Sequence, residues 1–172
     1  MAMGLDEAIQ TAMVFERKVY QTYADAMDKM EDPVGKRIFK QLSLEEAQHV
    51  EYLQHRLDEW QKDGRIDIKE LSTIVPDKAR IAGGRERIAQ TVQKRPPHPS
   101  EVEYLKNAFE VEKETSAFYR QMVSELSGQG QELFSRFMEI EEGHVAIVQA
   151  EIDSVQGMGF WFDVMEFDLE AG

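Results

Sequence analysis

The chain contains two Glu-x-x-His motifs, at residues 46–49 and 141–144. Residues three apart lie on one face of a helix, so each motif can present a carboxylate and an imidazole to the same point. In two other stretches, apolar residues recur at spacings of three and four, as on one face of a helix. Each of these apolar faces carries a glutamate. This pattern is typical of a metal site between helices. The candidate ligands are Glu16, Glu46, His49, Glu112, Glu141 and His144.

The charge of these six residues favours two divalent cations. Four buried carboxylates without partners would cost more than the roughly 5–15 kcal/mol that stabilises a whole domain. The neighbouring basic residues Arg17, Lys18 and Lys113 fall on other helix faces. Four carboxylates carry −4, two neutral imidazoles carry 0 and two divalent ions carry +4, so a filled site is neutral. Oxygen ligands with one imidazole for each ion suit iron or manganese, and zinc can occupy such a site.

Four helices must position the candidate ligands. The second begins with Asp32 as N-cap and Pro33 at the first helical position, and it ends at residues 63–64. The third begins with Ser100 as N-cap, because Glu103 follows it in capping-box spacing. Apolar residues spaced by three and four predict the helices over about residues 5–30, 33–62, 100–126 and 131–156.

The connection between the second and third predicted helices, residues 63–99, is long. It contains Pro76 and two adjacent glycines, and we expect one short helical piece near residues 85–92. A long connection between two closely linked helix pairs is typical of a four-helix bundle with one crossover. The sequence therefore predicts an all-α fold, with one bundle domain over residues 1–157 and a tail over residues 158–172.

The two halves of the chain repeat each other at nearly constant offsets. Glu16 and Tyr23 recur 96 residues later as Glu112 and Tyr119. The Glu-x-x-His motif recurs at an offset of 95 residues. Duplication of a helix pair is the economical explanation.

Three tyrosines, Tyr20, Tyr23 and Tyr119, lie near the candidate ligands in sequence. Their hydroxyls either donate to ligand carboxylates and orient them, or reach water from the edge of the core. His55 and His98 lie outside the ligand pattern, and we expect both on the surface.

The composition excludes several kinds of partner and site. A formal charge of −13 disfavours binding to nucleic acid or to an anionic membrane surface. The absence of cysteine excludes disulfides, thiolate metal sites and iron–sulfur clusters. Apolar runs are far shorter than the roughly 18 residues of a membrane span, and the N-terminus lacks the pattern of a signal peptide. We therefore expect a soluble protein of the cytoplasm.

Over about residues 5–156 the chain resembles the rubrerythrin-like branch of the ferritin-like di-iron carboxylate proteins. The resemblance rests on Glu16, Glu112 and the motifs at residues 46–49 and 141–144. It implies a di-iron centre held by the six candidate ligands, which reacts with dioxygen or hydrogen peroxide. The chain differs from full rubrerythrins because it lacks the cysteines of a rubredoxin-type iron site. An external donor must therefore supply electrons.

A second difference concerns an extra glutamate, which peroxide-reducing members carry one turn from the third-helix ligand. The positions three residues from Glu112 hold Phe109 and Thr115 here. Peroxide reduction is therefore one of three open functions. The second is oxidation of ferrous iron for storage or delivery at the same site. The third is a non-catalytic helical protein for assembly or sensing, with protonated core carboxyls.

The tail combines aromatic and acidic residues. It either closes one end of the bundle or contacts a second subunit, because aromatic patches are rarely left in water. We expect a homo-oligomer, most simply a dimer. The aromatic residues in question are Phe160, Trp161, Phe162 and Phe167.

Overall fold

The computed structural model of the chain describes residues 3–69, 71–76, 79–84, 96, 98–159 and 161. A short helical segment covers residues 79–84, and the described residues include no strand. The all-α prediction is confirmed. In the part described, no helix combines the length and apolar character needed to cross a membrane. The long helices are α1 (Leu5–Lys29), α2 (Pro33–Asp63), α3 (Pro99–Glu125) and α4 (Gly128–Met158).

The boundaries of α2 follow the sequence signals. The Asp32 side chain accepts hydrogen bonds from the backbone N–H groups of Val34 (2.8 Å) and Gly35 (3.2 Å), which satisfies two donors of the first turn. At the other end Gly64 adopts a left-handed conformation with φ of 64°, and its N–H donates to the carbonyl of Trp60. Both predicted signals are confirmed, because each depends only on neighbouring residues.

The predicted N-cap of α3, Ser100, is wrong by two residues. The helix begins at Pro99 with His98 as N-cap, and no side chain caps it. The Ser100 hydroxyl lies 2.7 Å from Nδ1 of His98, so Ser100 does not form the expected capping box with Glu103. Proline suits the first helical position, because its fixed φ is already helical and its missing N–H would have no partner there.

The predicted start of α4 is three residues late. The helix begins at Gly128 rather than near Gln131, and Ser127 is its N-cap. Gly128 has φ of 59°, a conformation that glycine adopts without strain. The chain therefore reverses direction between α3 and α4 within very few residues.

The four long helices enclose one layer of buried polar side chains. Helices α1 and α2 pack together, α3 and α4 pack together, and α1 also contacts α3. Apolar residues fill the core on both sides of the polar layer, in one cluster around Phe39 and Leu105 and another around Phe134 and Phe137. Each long helix contributes to both clusters. The polar layer therefore crosses the middle of each long helix.

The segment after α2 is tied to the helices by polar contacts. Nε and Nη2 of Arg136 donate to the carbonyl of Leu71 at 3.1 and 2.6 Å. The Tyr52 hydroxyl donates to the carbonyl of Lys69 at 2.9 Å. The short helical piece expected near residues 85–92 lies outside the described residues, while helix is found just before it, at residues 79–84.

One aromatic residue of the tail is described, and it packs on the chain's own helices. Trp161 is buried against the Phe39 ring, with ring centroids 5.6 Å apart, and its Nε1 donates to Glu101 Oε2 at 3.0 Å. A Cβ at Gly35 would lie 2.5 Å from Cε2 of the indole. Glycine at this position therefore makes room for Trp161. Phe160, Phe162 and Phe167 lie outside the described residues.

The substitution Gly35→Ala should destabilise the protein by about 1–3 kcal/mol, because the added methyl group overlaps the buried indole. Thermal unfolding followed by circular dichroism measures the loss, and tryptophan fluorescence reports displacement of Trp161. Gly157→Ala is the matched control, since a Cβ there meets nothing within 4 Å and alanine favours a helix. A Gly35→Ala variant as stable as this control would contradict the packing.

Candidate metal centre

All six candidate ligands come together in the polar layer. They form two groups whose ligand atoms lie within 4.8 Å of one another: Glu16, Glu46, His49 and Glu141 in the first, and Glu46, Glu112, Glu141 and His144 in the second. Each of the six side chains is at most 1% exposed. Glu46 and Glu141 belong to both groups, so the arrangement has room for two ions that share two carboxylates.

The two imidazoles turn the same edge toward the carboxylates. Nδ1 of His49 lies 3.0 Å from Glu16 Oε2 and 3.3 Å from Glu46 Oε2. Nδ1 of His144 lies 2.7 Å from Glu46 Oε1, although this pair lacks hydrogen-bond geometry. The rings are nearly parallel, with centroids 5.7 Å apart and an interplanar angle of 11°.

Two of the three candidate tyrosines contact ligand carboxylates. The Tyr23 hydroxyl donates to Oε1 of Glu112, and the Tyr119 hydroxyl donates to Oε1 of Glu16. Both side chains are fully buried, so their hydroxyls do not reach water. Each tyrosine bonds the glutamate from the other half of the chain, which agrees with the internal repeat. Tyr20 is 39% exposed and lies at the surface.

Five buried carboxylate oxygens of the candidate ligands have no hydrogen-bond partner within the part of the chain that is described. They are both oxygens of Glu46, both oxygens of Glu141 and Oε2 of Glu112. A buried unpaired carboxylate is costly, whereas a cation removes that cost. These converging oxygens, together with one imidazole for each group, fit a pair of transition-metal ions.

When no metal ion is bound, protons neutralise three of the carboxyl groups. Burial raises the pKa of Glu16 to about 8, and repulsion from Glu46 adds to the shift. Burial likewise raises the pKa of Glu112 to about 7 and the pKa of Glu141 well above its usual value. These groups hold protons in weakly acidic solution, so an ion that binds them must displace those protons.

The fourth carboxylate and the imidazoles stay charged. Burial raises the pKa of Glu46, but attraction to His144 and His49 outweighs burial and leaves this pKa below its usual value. Burial lowers the pKa of His49, but Glu46 and Glu16 outweigh it and raise the value to about 10. The pKa of His144 is raised for the same reason, mainly by Glu46 and Glu141. Glu46 is thus the anion between two imidazolium cations.

Glu45 is a buried carboxylate of this layer that the sequence interpretation missed. It is 4% exposed, and Oε1 lies 3.5 Å from Nε2 of His144. Burial raises the pKa of Glu45, but His144 outweighs burial and lowers it. Glu45 therefore adds one negative charge that the count from the sequence omitted. Its position four residues before His49, on the same helix face, is a signal that could have identified it.

Four further residues were named from the sequence: two histidines outside the ligand pattern and the two residues three positions from Glu112. His55 and His98 are exposed, which confirms their assignment to the surface. Thr115 is fully buried, and its hydroxyl donates to the carbonyl of Val111 at 2.9 Å. Phe109 packs against the apolar core. Neither side chain near Glu112 therefore supplies a further carboxylate.

Comparison with known proteins does not assign this chain to a family. No protein-family model, curated protein or solved structure matches the chain. The likeness to rubrerythrin-like proteins therefore rests on the motifs of the sequence.

Without metal, the protein should lose stability as the pH rises from about 6 to about 8. In this range unfolded carboxyls, with pKa near 4.5, have released their protons, while folded Glu16 and Glu141 retain theirs. The folded state binds more protons, so the free energy of unfolding falls with rising pH. His49 adds to the trend between its unfolded pKa of 6.5 and its folded pKa of about 10. We expect the melting temperature in chelator to fall by roughly 5 °C or more.

Glu141→Gln should reduce this pH dependence, because glutamine does not titrate. Glu142→Gln is the control, since Glu142 lies next in sequence but pairs with Arg120 at the surface. Zinc should oppose the trend, because ions bind deprotonated ligands. A chelated parent protein whose melting temperature stays constant or rises over this range would contradict the protonation of the layer.

Proposed function

We propose that this chain is a di-iron oxidoreductase of rubrerythrin-like type, which reduces hydrogen peroxide or dioxygen with electrons from an external donor. The observation that carries the proposal is the pair of buried ligand groups sharing Glu46 and Glu141. The fold proposed with it is a ferritin-like four-helix bundle, in which the segment between α2 and α3 is the crossover. The order of the helices and the packing of α1 with α2 and of α3 with α4 support this fold.

Each ion would have its own glutamate and histidine. Glu16 and His49 would hold the first ion, Glu112 and His144 would hold the second, and the shared carboxylates would contact both. The unpaired oxygens of the shared carboxylates support this assignment. Iron suits the ligand set, and manganese or zinc can bind the same groups.

Two ferrous ions, when bound, would supply the two electrons that convert hydrogen peroxide and two protons into two water molecules. The chain's residues would hold and enclose the site. Tyr23 and Tyr119 fix the orientation of Glu112 and Glu16 through their hydroxyl groups. The apolar clusters on both sides exclude bulk water, so the site suits a small uncharged oxidant. The electron donor is external in this proposal, because a chain without cysteine cannot hold the rubredoxin-type iron site that supplies electrons in full rubrerythrins.

Oxidation of ferrous iron for storage or delivery is the second candidate. The buried Thr115 favours it, because its hydroxyl is bonded to the backbone of its own helix and supplies no extra carboxylate near Glu112. Such a protein should oxidise many irons for each chain rather than two. A non-catalytic role for assembly or sensing is supported by the protons that balance the layer without metal.

Iron-loaded protein prepared without oxygen should contain about two ions for each chain, one for each ligand group. Mixing it with hydrogen peroxide in a stopped-flow spectrometer should change the iron absorption within seconds. Turnover of many added ferrous ions in the same assay would favour iron handling. Less than one transition metal for each chain after iron-replete expression would favour the non-catalytic role.

Glu46→Ala or Glu141→Ala should each lower the metal content by at least one ion, because both carboxylates belong to both ligand groups. Elemental analysis of purified protein measures this content. Glu142→Ala is the matched control and should retain the parent content, because Glu142 pairs with Arg120. Unchanged metal in both core variants would show that these carboxylates are not ligands.

A further inference from the structure

Glu45 contacts both histidines of the centre, although it belongs to neither ligand group. Oε1 lies 3.5 Å from Nε2 of His144 and 3.7 Å from Nε2 of His49. In each ring Nε2 lies on the edge opposite Nδ1, and Nδ1 faces the other carboxylates. The near-parallel stacking of the two rings brings both Nε2 atoms within reach of the same oxygen.

The three atoms at this contact are all buried polar atoms. Oε1 of Glu45 and Nε2 of both histidines are buried, and none has another hydrogen-bond partner among the described residues. Oε2 of Glu45 accepts from the backbone N–H of Ile74 at 3.3 Å, so the segment after α2 holds the carboxylate in place. The distances to the histidines exceed a typical hydrogen bond of about 2.7–3.2 Å by only a few tenths of an ångström.

We propose that Glu45 is a positioning residue shared by both histidines. Its carboxylate accepts the Nε2–H of His49 and of His144, and this leaves Nδ1 of both rings free to bind an ion. The inference rests on the metal centre proposed above. Hydrogen bonds to the second nitrogen of a ligand histidine fix its tautomer and orientation. Here one carboxylate performs this task for two ligands, so its loss affects both ions together.

The test measures zinc affinity by competition with a chromophoric chelator. In Glu45→Ala both binding steps should weaken, each by about 10–100-fold, as expected for loss of a partner that orients a ligand. Glu45→Gln should show a smaller loss, because its single amide oxygen still accepts a hydrogen bond. Glu101→Gln is the matched control. Glu101 is also buried, but it bonds Trp161 and the backbone of Asp32, away from the centre.

Nitrogen-15 NMR of the zinc-loaded protein distinguishes positioning from a general loss of stability. In the parent protein and in Glu101→Gln, both imidazoles should show a protonated Nε2 and a zinc-bound Nδ1. In Glu45→Gln, which keeps the size of the side chain, the Nε2–H signals should shift or broaden for both histidines. Circular dichroism checks that each variant is folded.

Three outcomes would overturn the inference, and they have different meanings. If the parent binds two zinc ions and both Glu45 variants bind them with equal affinity and unchanged imidazole signals, the shared positioning role is wrong while the metal centre stands. If the parent binds no zinc, the metal centre and the role of Glu45 fail together. A loss confined to one binding step and one histidine would also contradict a shared role.

Discussion

The balance of charge in one buried layer is the constraint on which the rest of this structure depends. Five carboxyl groups, Glu45 among them, and two imidazoles lie where water cannot solvate them, so their charges must be compensated inside the protein. Without ions, Glu46 lies between two imidazolium groups, while burial raises the pKa of Glu16 and Glu141 so that these two carboxyls keep protons. With two divalent ions, the same oxygens would be deprotonated and neutralised by metal. Folding, pH dependence and metal binding therefore involve the same groups.

The layer also determines how the apolar core is divided. Each long helix has apolar residues before and after its polar position, and these residues form two separate clusters. Tyrosines connect the clusters with the layer, since Tyr23 and Tyr119 pack in opposite clusters and donate to carboxylates between them. The core thus supplies both the burial that shifts the pKa values and the hydrogen bonds that orient the ligands.

The internal repeat makes the two ligand groups nearly equivalent, but not identical. Glu16 with His49 corresponds to Glu112 with His144. In the same way Tyr119, which donates to Glu16, corresponds to Tyr23, which donates to Glu112. At the offset of the repeat, the counterpart of Glu45 is Ile140, which is an apolar core residue. The repeat therefore does not supply a second carboxylate equivalent to Glu45.

The sequence alone determined the all-α fold and identified six residues as candidates for one site. Both were possible because helical periodicity is local and places each side chain on a known face. It also identified both ends of α2, where neighbouring residues make the capping contacts. The tertiary structure decided which oxygen each tyrosine bonds, where Trp161 packs and that Glu45 reaches two histidines. The Glu45 contact with His144 and the Trp161 bond to Glu101 join residues far apart in the chain. Only the packing of helices brings such residues within hydrogen-bonding range.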